Sequence, residues 1–376
     1  VKKKTAYDMA MGTSQMLGCL TERIQDINEN ADLTCFGQEF NPETYAIAKA
    51  DMLLKGGNAS GMMYGDTLSD DKFDGYSFDY IISNPPFGID WKREKTEVES
   101  EAKKGFEGRF GPGLPAISDG QMLFMLNGVK KLKEGAGRMA IIQNGSSLFT
   151  GDAGSGASEI RKYVIHEDLV EAIIQLPTDL FYNTGISTYI WVLTKDKSAE
   201  RMGKVQLIDA SKCYVKRRKN IGNKRVDLDD NSIDLIMKAY SAFDDVEFKD
   251  NDLVVESKVF YNDYFGYTKV TVETPILDEE GKPVLKKGKM LPDKSKSDTE
   301  IIPLMDDIDA YIKKNVTPYN ELAYLDRSKD KIGYEIPFTR LFYKFEAPAK
   351  SEDIFAEIKE LEAEETILMK ELFGNE

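Results

Sequence analysis

Histidine occurs once in 376 residues, as His166, and cysteine three times, as Cys19, Cys35 and Cys213. A His-rich metal site, or a Ser-His or Cys-His hydrolytic centre, would have to pass through that one imidazole. It sits in Tyr163-Val164-Ile165-His166-Glu167-Asp168, at the end of a helical pattern, where a favourable helix-end charge is the simpler role. The cysteines have no paired spacing, which supports neither a disulfide framework nor a zinc knuckle, and they are expected to be buried thiols. No apolar run approaches the roughly 18 residues of a membrane span, and no signal-peptide pattern opens the sequence, so a soluble cytoplasmic protein with no membrane partner is expected. Positive charge is also short, with 50 Lys and Arg against 65 Asp and Glu, a formal net charge of -15. That balance argues against a free-standing DNA binder, because phosphate neutralisation supplies most of the affinity of such proteins. One stretch departs from it: Lys212, Lys216, Arg217, Arg218, Lys219, Lys224 and Arg225 gather around Tyr214, readable as a solvated loop or as a phosphate contact.

What is present is an α/β pattern. Short β-branched runs near Thr5–Asp8, Leu33–Gln38, Met62–Gly65, Phe78–Ser83, Arg138–Gln143 and Leu169–Gln175 alternate with helical patterns near Gln15–Ile27, Glu43–Leu54, Gly120–Lys133 and Ser158–Ile165. This predicts a mostly parallel sheet with helices on both faces. Ser187–Thr194 follows its predecessor with no room for a crossover helix, so it is expected to be a final, antiparallel strand. Between Gly88 and Ser118 the pattern dissolves into charge and glycine, which reads as a mobile segment closing over a substrate. Beyond Lys195 the sheet pattern ends. Val270–Met290 reads as a hairpin turning at Asp278-Glu279-Glu280-Gly281. Ser351–Leu372 reads as a helix whose Ile354, Ile358, Leu361, Leu368 and Leu372 form an interrupted seam for a partner's helix. The expected organisation is a catalytic domain over residues 1–200, a mixed region over 201–350, and a docking helix over 351–376.

The residues that carry chemistry fall where the predicted strands end. Asn84-Pro85-Pro86-Phe87 closes the fourth strand, and two consecutive prolines that cannot donate backbone hydrogen bonds must stop it there. The Asn84 amide oxygen and the Pro85 carbonyl form a rigid pair of acceptors suited to an exocyclic NH2 group, and Phe87 can stack on the heterocycle carrying it. Upstream, Asp8-Met9-Ala10-Met11-Gly12-Thr13-Ser14 is a tight strand-to-helix turn where a backbone can approach a ligand. Glu39, after the second strand, can accept both hydroxyls of a ribose. Asp66, after the third, could accept from an adenine amine. Each acid could equally be a helix cap, but all three in order ahead of the tetrapeptide form a nucleoside-like site.

These residues resemble the modification (methyltransferase) subunit of type I restriction-modification systems, whose members are N6-adenine DNA methyltransferases. The resemblance rests on Gly37-Gln38-Glu39-Phe40-Asn41-Pro42-Glu43-Thr44-Tyr45, Gly65-Asp66-Thr67-Leu68 and Ser83-Asn84-Pro85-Pro86-Phe87-Gly88. It extends to Leu176-Pro177-Thr178-Asp179-Leu180-Phe181-Tyr182-Asn183-Thr184-Gly185-Ile186 and to Lys331-Ile332-Gly333-Tyr334-Glu335-Ile336-Pro337-Phe338-Thr339-Arg340. It implies a Rossmann-like sheet that binds S-adenosyl-L-methionine, with Asp8, Gly12, Thr13 and Ser14 as the cofactor loop. Glu39 would be the ribose ligand, Asp66 the ligand of the cofactor's adenine, and Asn84, Pro85, Pro86 and Phe87 the catalytic tetrapeptide, with Asn84 shared between cofactor and target amine. The implied reaction methylates N6 of an adenine flipped out of DNA, with Asn84 as acceptor rather than base and with no metal. The implied partners are DNA, a specificity subunit, a restriction subunit and a second modification subunit.

Two departures from the family pattern matter. Ser14 stands where the family usually has glycine, and Val1 lies almost at the first strand, so the chain is expected to be a carboxyl-terminal fragment that holds the cofactor weakly. The alternatives are a non-catalytic subunit that only docks to the specificity subunit, and a methyltransferase acting on another planar nitrogen, such as a glutamine amide or an RNA base.

Overall fold

The computed structural model describes residues 3–345 and 350–374. The first four strands run in parallel: β1 (Lys3–Asp8), β2 (Asp32–Glu39), β3 (Met62–Tyr64) and β4 (Tyr80–Ser83). β5 (Arg138–Asn144) continues them, and β6 (Val170–Gln175) has the same direction. β7 (Thr188–Thr194) lies antiparallel between β5 and β6, as its short connection requires. It is not the last strand. β8 (Lys204–Lys212) pairs parallel with β6. After the hairpin β9 (Val215–Ile221) and β10 (Lys224–Asp227), β11 (Val246–Asp250) and β12 (Leu253–Tyr261) extend the same sheet. The order is β11-β12-β8-β6-β7-β5-β4-β1-β2-β3, so the sheet runs on past residue 200.

Helices α1 (Gln15–Ile27) and α2 (Pro42–Leu54) cover one face. Leu17 of α1 and Ala48 and Met52 of α2 share a cluster with Ala6, Cys35 and Met62. α2 begins where it does because Pro42 occupies its first turn and the Asn41 side chain accepts from the Glu43 and Thr44 N–H groups. Strand side chains alternate in direction, so Tyr7 leaves Ala6 for the opposite face, where it stacks on Phe78 at 4.6 Å.

The segment after β4, read as a mobile closing segment without a local pattern, is folded in this structure. It contains α3 (Lys95–Ala102), and Trp91, Val98 and Phe110 are buried. Its long-range anchors, not a local period, make it fold. Further on, α4 (Gln121–Lys131), the short α5 (Ser146–Phe149) and α6 (Gly156–His166) complete the doubly wound part, and α7 (Asp230–Ala242) buries Leu235, Ile236 and Ala239 against Ile174, Ile208 and Val255. His166 is the last residue of α6, as expected. Cys35 and Cys213 are buried, but Cys19 is exposed on α1, a correction to the expectation of three buried thiols.

β13 (Gly266–Glu273) itself pairs with Asp298–Pro303, Tyr324–Leu325 and Lys331–Tyr334. The expected hairpin lies beyond it: Leu277 bridges Pro283 antiparallel across the Asp278 turn, where the Gly281 N–H donates to the Asp278 carbonyl, and Leu285–Lys286 pairs with Lys289–Met290. Val270, Val272 and Ile302 give this small sheet its own core. The chain divides into two compact units, residues 1–338 and 339–376, and the second contains the long helix Ser351–Phe373. Among the described residues no helix is long and apolar enough to cross a membrane.

Candidate active site

Strand register aligns the carboxyl ends that matter. Asp8 is level with Gly37, Tyr7 with Ile81, and Glu39 with Tyr64. Along this edge the order is therefore Asn84, Asp8, Glu39 and Asp66, each at the end of its own strand or just beyond it. From β1 the chain moves out through β2 and β3, then returns to the other side of β1 as β4. That reversal opens the crevice in which open α/β sheets bind ligands.

The turns on this edge are tied to one another. Asp8 Oδ1 accepts from Ser83 Oγ at 2.6 Å and from the Ala10 N–H at 3.0 Å, joining the end of β1 to the residue before Asn84. Burial pushes the Asp8 carboxyl up to about 7, a shift that these two bonds oppose and the nearby Glu39 charge reinforces. Glu39 Oε2 accepts from the Gly12 N–H at 2.9 Å and Oε1 from the Asn41 N–H at 2.8 Å. Asp66 Oδ1 accepts from the Leu68 and Ser69 N–H groups, while Oδ2 has no hydrogen bond among the described residues. Thr67 Oγ1 donates to the Met9 carbonyl at 2.5 Å, linking the turns after β1 and β3.

Around Gly12 the surface is open. Its φ is +54°, and a Cβ placed there would meet no atom within 4 Å. Thr13 is half-buried beside it. Ser14 is strained: it is buried with φ +61°, a left-handed conformation that costs a non-glycine residue roughly 1 to 2 kcal/mol. Its Oγ is buried with no hydrogen-bond partner.

The tetrapeptide turn differs from the acids. Asn84 Oδ1 is buried and accepts no hydrogen bond. Leaving such an acceptor unpaired costs roughly 1 to 3 kcal/mol, so its retention needs a reason. No hydrogen bond is donated to the Pro85 carbonyl among the described residues. Pro85 is buried, Pro86 exposed and Phe87 half-buried. The expected residues are thus brought to one edge, and the two acceptors credited with amine binding are unoccupied by protein donors.

Sequence reasoning missed the group that braces this edge. Arg109, from the segment after β4, donates Nη1–H to the Thr67 carbonyl at 2.6 Å and Nη2–H to the Leu68 carbonyl at 3.1 Å. Its guanidinium also pairs with Glu101 at 2.6 Å and lies over the Phe110 ring at 4.6 Å. Arg109 therefore holds the Asp66 turn from outside. The only local signal was an arginine between Gly108 and Phe110, with nothing to name its partners.

Comparison with known proteins gives a consistent result. The family described as N-6 DNA Methylase matches residues 1–280. Among curated proteins, the chain is 31% identical over 250 residues to the type I restriction enzyme MjaVIII methylase subunit of Methanocaldococcus jannaschii, covering 64% of this chain and 41% of that protein. It is 28% identical over 227 residues to the MjaIX methylase subunit of the same organism, covering 59% of this chain and 39% of that one. A solved type I restriction-modification methyltransferase subunit from Streptococcus thermophilus is similar with a TM-score of 0.56 and 26% identity, covering 70% of this chain and 51% of its own. The chain spans less than half the length of these two curated relatives.

Proposed function

Because this chain belongs to the N-6 DNA methylase family, we propose that it carries the methyl-transfer site of a type I restriction-modification complex, acting on N6 of an adenine flipped out of DNA. The observation that carries the reading is the buried, unpartnered Asn84 Oδ1 at the switch point of the sheet. S-adenosyl-L-methionine, when bound, supplies an electrophilic methyl on sulfur. Asp8, Gly12, Thr13 and Ser14 hold its methionine end, Glu39 its ribose and Asp66 its adenine. The residues suit that group: each Glu39 oxygen holds one N–H and keeps a second lone pair for a hydroxyl, and Asp66 keeps Oδ2 for an amine.

The chemical difficulty lies in the adenine amine, whose lone pair is delocalised into the ring. With its two hydrogens on Asn84 Oδ1 and the Pro85 carbonyl, the nitrogen is free to rehybridise and direct that lone pair at carbon. The bound cofactor would supply the methyl carbon and its sulfur would keep the electron pair of the broken bond, while the Asn84 carboxamide is not basic enough to take the amine proton, which would pass to water. Orientation and fixed dipoles supply the rate. Phe87 stacks on the extruded base. The partners in this reading are a specificity subunit that selects the sequence, a restriction subunit and a second modification subunit, with Ser351–Phe373 as docking helix and the cytoplasm as location.

The test is to assemble the chain with a specificity subunit, supply labelled cofactor and DNA, and digest the product to nucleosides. N6-methyladenine is expected. 5-Methylcytosine would contradict the reading, because C5 transfer needs a thiol nucleophile, and Cys35 and Cys213 are buried while Cys19 lies on α1. Label on a glutamine amide or on RNA would move the site to another substrate.

A further inference from the structure

The basic stretch noted in the sequence stands on the same edge of the sheet as the candidate active site. β8 is parallel to β6, and β6 runs in the direction of β5 and β4, so the carboxyl end of β8 faces the same way as Asn84. The β9–β10 hairpin rises directly from that end. It is fixed there rather than loose. The Asn223 N–H donates to the Tyr182 carbonyl at 3.0 Å, and the Arg225 N–H donates to the Asp179 carbonyl at 2.8 Å. At the tip, a Cβ on Gly222 would come within 2.6 Å of the Tyr182 carbonyl, so the approach is close. Asp179 and Tyr182 belong to the connection leaving β6 at this same edge.

The hairpin's own side chains are arranged differently from those of an ordinary surface ribbon. β9 is exposed along nearly all its length, so burial does not explain its residues. Arg217 and Lys224 both pair with Asp227. Lys216, Arg218, Lys219 and Arg225 are exposed and have no ion-pair partner among the described residues. Four unpaired cations on one short ribbon repel one another, and a polyanion relieves that repulsion. In a chain of net charge -15 they mark one place where a nucleic acid backbone is attracted rather than repelled.

We propose that the Val215–Asp227 hairpin is a phosphate clamp that grips the DNA backbone beside the flipped nucleotide and sets the strand's orientation at the Asn84 turn. The inference rests on the DNA-methylating reading but is tested by binding rather than by transfer. The experiment uses the chain assembled with its specificity subunit and a DNA duplex containing the recognition site, and compares the parent with the variant Lys216→Gln/Arg218→Gln/Lys219→Gln/Arg225→Gln. Affinity is measured across a salt series.

If each of the four cations meets one phosphate, the slope of log affinity against log salt falls in magnitude by roughly 3 to 4, with each single replacement contributing about 1. Cofactor affinity stays at its parental value and the melting temperature does not fall, since none of the four side chains is buried and their mutual repulsion is relieved. An unchanged salt slope in a variant that still assembles overturns the clamp and leaves a solvated ribbon. Loss of assembly with the specificity subunit also overturns it and assigns the patch to a protein contact. If the parent binds DNA yet transfers no methyl group to adenine, the functional reading fails while the clamp result stands or falls on its own slope.

Discussion

The acidic turns after β1, β2 and β3 and the amide turn after β4 share one edge of one sheet, yet their acceptors are used in opposite ways. Asp8, Glu39 and Asp66 each spend oxygen lone pairs on backbone N–H groups or on Ser83 and so hold the turns in place. Asn84 Oδ1 spends none. A carboxylate has enough lone pairs to fix a turn and still receive a ligand, so structural and binding roles coexist in one residue. The Asn84 amide oxygen also has two lone pairs, yet neither meets a protein donor. In the function proposed above, that free acceptor is the place for the substrate's own donor.

The largest expected effect comes from removing the brace on the acidic side. Arg109→Met strands Glu101 and two carbonyls and should cost about 3 to 5 kcal/mol, toward the lower value because Glu101 is partly exposed. Denaturant midpoints measure it, and a loss below about 1 kcal/mol would show that the segment after β4 does not support the edge.

The acidic turns also differ from the amide turn in responding to pH. Asp8 is an acid whose folded pKa, about 7, lies above its unfolded value, so the folded state keeps a proton that the unfolded state has already released. Stability from this group is therefore greatest at low pH and falls as pH rises toward about 7. Between pH 5 and pH 8 the parent should lose roughly 2 to 3 kcal/mol more than Asp8→Asn, which cannot ionise. Equal pH dependence of the two proteins would mean that Asp8 is ionised at pH 5.

On the amide side, Phe87→Ala should lower methyl transfer by about 5- to 150-fold, the equivalent of roughly 1 to 3 kcal/mol of base stacking, with cofactor affinity largely kept. A matching loss of cofactor binding would move Phe87 to the other side of the comparison. The smallest effect is expected at Ser14→Gly. Relief of left-handed strain and of a buried unpaired hydroxyl, less the greater freedom of glycine when unfolded, should stabilise the protein by about 1 kcal/mol in thermal melts. Destabilisation would show that the serine side chain has a packing role.

How much of this was legible in the sequence follows the range of the forces involved. α1 was read with its observed bounds, because the apolar spacing of Gln15–Ile27 is a local signal. α2 was read as starting at Glu43, one residue after the observed Pro42. β1 and β4 were read to their observed ends and β2 one residue short of its own, at Gln38, for the same reason, and with them Asp8, Glu39 and Asn84. The segment after β4 was not, since Arg109 finds Thr67 and Leu68 across 42 and 41 positions and no periodicity announces such a contact. Nor was the growth of the sheet beyond residue 200, where β8 must wait for β12 to arrive after the hairpin and α7. β13 was recognised in part, but its alternation does not say which strand it will choose, and it chose Asp298–Pro303 over its sequence neighbour. The unpaired state of Asn84 Oδ1 could be suspected from chemistry, but only coordinates reveal it.

The most direct test of the central claim is to measure, on Asn84→Ala in the assembled complex, the single-turnover rate of methyl transfer beside the dissociation constant of the cofactor. The expected result is a rate lower by roughly 100- to 1,000-fold, cofactor affinity changed by less than about tenfold, and a melting temperature no lower than the parent's, because a buried unpaired atom has been removed. A rate that survives the substitution, or a cofactor affinity that falls in parallel with it, would contradict the claim that this amide oxygen is reserved for the target amine.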